Sequence, residues 1–225
     1  MSFRFRDRHQ AGRLLAAQLV SYANRPDVLV LALSRGGVPV AFEVARGLDA
    51  PLDLFLVHCL GVPGRAALAM GAITTGGIVV REEAIADTLG IPDHLLAATA
   101  AAEQQELERR EHAYRGERLP PDVRGRVVMV VDDGCASAVA MRAALTALRQ
   151  QQPTQLIVAL PSAAPEIDDR LRAEVDAFAW AIAPESFESV DGWYDESALP
   201  TDDEIRELLE RAAREHAGLA RAIGG

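Results

Sequence analysis

Residues 126–140 read RVVMVVDDGCASAVA. An apolar run from Val127 to Val131 ends in two adjacent acids, Asp132 and Asp133, followed by glycine and small residues. Neighbouring carboxylates at a strand end repel each other and gain nothing from burial. They suit a solvated cleft, where they accept hydrogen bonds from hydroxyls or help to hold a cation. The residues that follow, Gly134, Cys135, Ala136, Ser137, Ala138 and Val139, have little bulk and let a backbone wrap closely round a ligand. A helix opening near Val139 turns its unpaired N–H groups toward an anion such as a phosphate. A vicinal diol beside a phosphate describes a ribose 5-phosphate. The plain alternative is a solvated strand end and a turn, because Asp-Asp-Gly recurs freely in turns.

Three other stretches carry candidate chemistry. Arg35, Gly36 and Gly37 follow the apolar run VLVLAL, and a second run, LDLFLV, ends in His58 and Cys59. Alone, Arg-Gly-Gly is a strand-to-helix turn; after a strand it is also a place for an anion. His58 offers a pH-sensitive phosphate contact or a general base, or is a tolerated replacement. Cys59 and Cys135 both fall on presumed site loops, but nothing in the sequence supports a bridge between them. Trp193 and Tyr194 in DGWYDE either stack on a base or, more simply, pack the C-terminal segment onto the sheet.

Composition narrows the function classes. The 225 residues are 49% hydrophobic and 25% charged, as in an ordinary globular protein with one sizeable core. A net charge of −10 argues against a nucleic-acid binder that relies on a general basic surface, though a local basic pocket is compatible with it. All 23 basic residues are arginine, which excludes a Gly-Lys-Ser/Thr phosphate loop and any Schiff-base lysine. Two distant cysteines without metal-ligand spacing fit a reduced, cytoplasmic chain. Basic residues precede an apolar patch at the N-terminus, but Leu14, Leu15, Leu19 and Val20 fit an amphipathic helix rather than a signal peptide. No apolar run approaches bilayer length, so no membrane partner is expected.

The elements that must position these residues alternate. VLVLAL (28–33) precedes a helix near 38–47, and LDLFLV (52–57) precedes an irregular glycine-rich stretch containing GAITTGG and IVV. A long helix spans 93–115, rich in strong helix formers. Its Glu/Arg face around 103–111 reads as solvated, with a homodimer contact as the lesser alternative. After Pro120 and Pro121 come VVMVV, a helix through MRAALTALRQ, LIVAL (156–160), a helix near 165–173, AFAWAIA (177–183) and a last helix from Thr201 to about 216. Continuous apolar runs predict strands covered on both faces, and their alternation with helices predicts parallel crossovers. The expected architecture is one α/β domain over 1–225, a doubly wound and mainly parallel sheet. An irregular excursion and long helix at about 60–118 and a helical tail at about 200–225 complete it. In such sheets ligands bind beyond the carboxyl ends of the strands, which singles out SRGG, HCLG and DDGCASAVA.

The acid-pair stretch resembles the ribose-phosphate-binding signature of type I phosphoribosyltransferases, in which Asp-Asp-Gly is followed by a loop usually reading Ala-Thr-Gly-X-Thr. The resemblance extends to one bacterial subfamily through FRDRHQAGRLLA, VLALSRGGVPVAFEVA, LGVPG…LAMGAI, the ELERRE…YRG helix, and WYDE with DDEIRELL. It implies that Asp132 and Asp133 contact the ribose hydroxyls and serve catalysis, and that Gly134 to Val139 hold the 5-phosphate. Arg35, Gly36 and Gly37 would cradle the pyrophosphate of phosphoribosyl pyrophosphate, with Mg2+ carried by that pyrophosphate and no direct protein ligands. The implied reaction displaces pyrophosphate from C1 by a nitrogen nucleophile through an oxocarbenium-like transition state. The loop also departs from the family pattern. Ala138 replaces a glycine, which makes a positive φ or very close phosphate approach costly there. Ala140 replaces a second hydroxyl, His58-Cys59 an Arg-Lys pair, and Ala67 an acid; Arg65 and Arg81 are candidate compensating charges. A catalytically silent nucleotide-binding module is therefore the alternative to an enzyme.

Overall fold

The computed structural model describes residues 3–135, 138–163, 171–182, 187 and 189–223. In chain order they form α1 (Arg8–Gln18), β1 (Val28–Ala32), α2 (Gly37–Leu48), β2 (Leu52–Leu54), β3 (Val57–Val62), β4 (Arg65–Thr74), β5 (Val79–Arg81), α3 (Glu83–Thr88), α4 (Asp93–Arg115), β6 (Val127–Val131), α5 (Ala138–Gln150), β7 (Gln155–Leu160), β8 (Ala177–Trp180) and α6 (Asp202–Ile223).

Five strands form one parallel sheet in the order β2-β1-β6-β7-β8. The register sets Val30 beside Met129 and Met129 beside Ile157. Alternate residues of the apolar runs point to opposite faces, and both faces are covered. Val28, Val30, Ala32, Met129 and Val131 pack into one cluster with Leu15, Phe42 and Leu209 of α1, α2 and α6. Leu29, Leu31, Val128 and Val130 pack into the other with Met141, Leu145 and Leu148 of α5. An unbroken apolar run is what burial on both faces requires, and the doubly wound α/β reading holds.

Departures from the sequence expectations have physical reasons. LDLFLV is not one strand: β2 ends at Leu54, and Val57 opens β3 in a separate antiparallel sheet, β3-β4-β5. The stretch expected to be irregular supplies β4 and β5, joined where Gly76 and Gly77 have φ of 83° and 75°, values that glycine reaches without steric cost. Of the four apolar residues expected on an amphipathic helix, Leu15 in α1 and Leu19 just after it face the core, while Leu14 and Val20 are exposed. The helix expected near 165–173 lies largely outside the described residues.

The long helix α4 matches its predicted span, and Leu96, Ala100, Leu107 and Tyr114 form its buried stripe. Glu106 pairs with Arg109 and Arg110 on its outer face, as expected of a solvated surface. Helix α6 opens with a capping box. The Thr201 N–H donates to Glu204 Oε2 at 2.7 Å, and the Glu204 N–H donates to Thr201 Oγ1 at 3.3 Å. No helix among the described residues is long and apolar enough to cross a membrane.

Candidate functional site

Strand order reverses between β1 and β6, so the chain leaves these neighbours toward opposite edges of the sheet. The loops beyond their carboxyl ends therefore diverge and open a crevice at a topological switch point. One loop is Ser34–Gly37; the other begins with Asp132, Asp133 and Gly134. The fold brings together two of the three stretches that the sequence singled out; the third, HCLG, lies inside β3 of the separate sheet.

Their contact is close enough to explain both glycines. A Cβ on Gly36 would lie 2.1 Å from Asp133 Oδ2, and one on Gly37 would lie 2.8 Å from Asp132 Oδ1. The Ser34 hydroxyl donates to Asp132 Oδ1 and accepts from the Gly37 N–H at 3.1 Å. Asp132 Oδ1 also accepts from the Asp133 N–H at 3.0 Å. Ser34 thus ties the first acid to the Arg-Gly-Gly turn.

The two acids are not equivalent, which corrects the expectation that both stand in a solvated cleft. Asp133 is 7% exposed, and its Oδ2 accepts from Arg8 Nε at 2.8 Å, with Arg8 Nη2 at 2.7 Å. Arg8 is itself buried, and its guanidinium lies 4.9 Å from the centre of the Tyr194 ring. The Tyr194 hydroxyl donates to the Asp133 carbonyl at 2.5 Å. Burial, and then the Asp133 charge, pushes the Tyr194 phenol up, so it stays protonated and able to donate. Tyr194 thus packs the C-terminal segment, the simpler of its two readings. Asp132 is half-buried and has no arginine on its carboxylate among the ion pairs of the described residues. Burial and then the neighbouring Asp133 charge raise its carboxyl well above the usual carboxylate range, against the opposing pull of Ser34 and the Asp133 N–H.

That raised value carries a stability prediction. A group that holds its proton more tightly folded than unfolded costs stability as pH rises from the unfolded carboxylate pKa toward the folded one. Asp132→Asn keeps the acceptor for Ser34 and removes the like charge. The ligand-free variant should therefore melt a few degrees higher than the parent at neutral pH, the shift that about 1 kcal/mol produces in a chain of this size. The gain should shrink as pH falls and fade near about pH 3, below the unfolded aspartate pKa, where Asp132 is mostly protonated in both states. A lower midpoint at pH 7 would contradict it.

The residues expected to hold a phosphate follow on the same loop. Gly134 has φ 156° and packs against Val190 and the Ser162 carbonyl. Cys135 is buried and pairs as a parallel bridge with Ala163. Ala136 and Ser137 lie outside the described residues. Ala138 is the first residue of α5, and its methyl is buried in the cluster beneath that helix. The anticipated cost of a positive φ at Ala138 does not arise, because its backbone is helical. Val139 follows in the first turn of α5, half-buried.

Arg35 is the one basic side chain predicted for the site, and here it serves the C-terminal segment. Its Nη2 donates to the Pro200 carbonyl at 2.7 Å and lies 3.5 Å from Asp202 Oδ1. Asp202 also accepts from the Tyr114 hydroxyl at 2.8 Å. His58 points at α4 instead. Arg110 donates toward its Nε2 at 3.4 Å, which leaves Nδ1–H for Glu103 at 3.2 Å, so both ring nitrogens are engaged. Arg81 is neutralised by Glu83 and Asp87, and Arg65 is exposed on β4. Neither takes up the charge lost at His58-Cys59. The two cysteines are not bridged; Cys59 is exposed.

Sequence reasoning missed Arg8. Its only trace was its place in FRDRHQAGRLLA; an arginine in a first helical turn gives no sign that it will be buried. Ser34 was visible only as the first letter of SRGG.

A doubly wound α/β sheet with an acid pair and a glycine turn facing each other across its switch point defines a protein of the type I phosphoribosyltransferase fold. The chain belongs to the phosphoribosyl transferase family: the phosphoribosyl transferase domain model matches residues 69–188, which takes in the acid pair and its loop but not the Arg35 turn. It is 37% identical over 218 residues to "Putative phosphoribosyl transferase Rv0571c" of Mycobacterium tuberculosis, covering 95% of this chain and 48% of that one. It thus spans about half the length of that relative. Among solved structures, TT1426 from Thermus thermophilus superposes with a TM-score of 0.80 at 36% identity, over 93% of this chain and 99% of that one.

Proposed function

We propose that the crevice between β1 and β6 binds phosphoribosyl pyrophosphate or a ribose-phosphate nucleotide, and that the chain transfers the phosphoribosyl group to a nitrogen acceptor with release of pyrophosphate. The observation that carries this reading is the contact of the Arg35–Gly37 turn with the acid pair: both glycines sit where any side chain would collide with a carboxylate. A phosphorylated sugar needs both halves at once, hydroxyl acceptors on one side and N–H donors with a cation on the other.

In this reading the acid pair, Asp132 and Asp133, lies beneath the ribose, with Asp132 accepting from its hydroxyls and stabilising positive charge developing at C1. The backbone of Gly134, Cys135, Ala136, Ser137, Ala138 and Val139, ending on the N-terminus of α5, holds the 5-phosphate with the Ser137 hydroxyl. Arg35, Gly36 and Gly37 receive the pyrophosphate, and Arg35 exchanges the Pro200 carbonyl for a phosphate oxygen. Among the described residues no cluster of three acids, histidines or cysteines is placed to hold a metal. Mg2+ keeps several waters and typically binds through one or two carboxylates plus substrate phosphates. Carried by the pyrophosphate without a direct protein ligand, it would offset charge on that departing group.

One observation favours the silent-module alternative: Arg35 is already held by the Pro200 carbonyl and Asp202. Calorimetry with phosphoribosyl pyrophosphate and Mg2+, followed by pyrophosphate release across a panel of bases and small amines, separates the two. Saturable binding with release supports transfer, binding without release supports the module, and no binding rejects both. Asp132→Asn should weaken binding by roughly 1–3 kcal/mol, from about fivefold to about a hundredfold, with the fold retained.

A further inference from the structure

We infer that Arg8 is a positioning residue that divides the acid pair, fixing Asp133 as a counter-ion under the Arg35–Gly37 turn and leaving Asp132 as the acid presented to the ribose. The inference rests on the ribose-phosphate reading above and deepens it.

Nε and Nη1 donate hydrogen bonds inside the protein, while Nη2 is buried in ion-pair contact with Asp133 and makes no hydrogen bond among the described residues. Nε and Nη2 face Asp133 Oδ2 at 2.8 and 2.7 Å, while Nη1 donates to the Ser197 and Ala198 carbonyls at 2.8 and 3.0 Å. The ring of Tyr194 closes one face. Asp191 approaches at 3.6 Å but stands 72% exposed. Arg8 is therefore not a spare cation for a phosphate. What it does is clamp one short carboxylate against Gly36, whose missing Cβ would sit 2.1 Å from that oxygen. The placement of the pyrophosphate turn is set by where Arg8 holds Asp133.

Charge gives the arrangement its purpose. Two bare carboxylates beside a sugar carrying a phosphate and a pyrophosphate would repel the ligand through a partly desolvated site. Cancelling one of them leaves a single acid to accept from the hydroxyls and face the cationic C1. Asp132 is the acid left, held through one oxygen by Ser34 and the next backbone N–H.

A double-mutant cycle read by calorimetry with Mg2+ and phosphoribosyl pyrophosphate tests this. Arg8→Gln and Asp133→Asn should each weaken binding about tenfold, and their combination should be no weaker than the worse single variant. Arg8→Lys, which keeps the charge without the fork, should fall between Arg8→Gln and the parent. Adding Asp132→Asn should multiply the loss. Independent losses that multiply for Arg8 and Asp133, or an Arg8→Gln protein that binds like the parent, would overturn the assignment. A ligand-free arm guards against misfolding and against failure of the parent reading. In Arg8→Gln the Gly37 amide should exchange its hydrogen about tenfold faster while Ile157 in β7 is unchanged. Equal acceleration at both, or at neither, counts against Arg8 setting the turn. If the parent protein binds no phosphoribosyl pyrophosphate, the ribose-phosphate reading fails while the exchange arm still decides whether Arg8 holds the turn.

Discussion

Gly36→Ala should destabilise the protein by about 3 kcal/mol and abolish any affinity of the crevice for a phosphorylated sugar. The reason is space, not backbone freedom: Gly36 has φ −65° and ψ −30°, which alanine adopts readily. Its new methyl would lie 2.1 Å from Asp133 Oδ2 and 2.6 Å from Cγ. A flexible side chain end would swing away, but Asp133 has one short arm, and Arg8 grips it from the far side. The methyl must therefore break a buried ion pair or push the turn off the sheet, and either outcome moves Arg35 and the N-terminus of α2. Asp133→Ala in the same background removes the colliding atoms, so Gly36→Ala should cost far less there than in the parent chain. Urea unfolding of the four proteins reads the cycle. Equal costs in both backgrounds would show that the collision is not what Gly36 prevents.

That pair of residues also shows what the sequence could and could not disclose. The apolar runs 28–33 and 127–131 are buried on both faces, so pattern alone placed them as central strands. Their carboxyl ends then followed from parallel topology, and with them Arg35–Gly37 and Asp132–Asp133. Which two loops touch depends on strand order, and no local pattern encodes it. Arg8 meets Asp133 across 125 residues, and its burial is a consequence of that meeting. Leu14 and Val20 misled for a related reason. Hydrophobicity marked them for the core, but the face of α1 that packs on α2 is narrow and lined by Ala11, Gly12 and Leu15. A Cβ on Gly12 would lie 2.6 Å from the Val40 carbonyl, so small residues bring the two helices together there. The β3-β4-β5 sheet was hidden by its glycines and by register shifts on either side of Gly61, which blur the two-residue alternation.

The C-terminal segment links these parts. Phe5 pairs with Tyr194 through a parallel bridge, which brings the N-terminal segment, Arg8 and residues 193–202 to the same edge of the crevice. Arg8 holds the Ser197 and Ala198 carbonyls, and Arg35 holds the Pro200 carbonyl. One of these arginines is buried and fixed; the other is 39% exposed and can exchange partners. The same strap is thus anchored beside Asp133 and more loosely fastened beside the Arg35–Gly37 turn.

A second large effect is expected away from the crevice. Arg115→Ala should lower stability by about 3–5 kcal/mol, because it strands buried acids without a partner. Arg115 ends α4 with its side chain 5% exposed; Nε donates to Asp53 Oδ1 at 3.1 Å, and Nη2 donates to the Leu54 carbonyl at 2.9 Å. Glu111, one turn earlier, lies 3.5 Å from Nη1. The cation fastens the C-terminus of the long helix to edge strand β2, where the helix dipole also favours positive charge. It walls a cavity of about 400 Å³ with Leu54, Phe55 and Val123. Alanine would enlarge that space as well as remove the charge, whereas methionine would fill it. The combination Arg115→Met with Asp53→Asn should therefore recover most of the loss, because replacing a buried pair as a unit is often close to neutral while breaking it is not. Chemical denaturation of the single and double variants measures this. If Arg115→Ala loses less than about 1 kcal/mol, the pair behaves as a solvated surface bridge, and α4 must be held to the sheet by its apolar stripe alone.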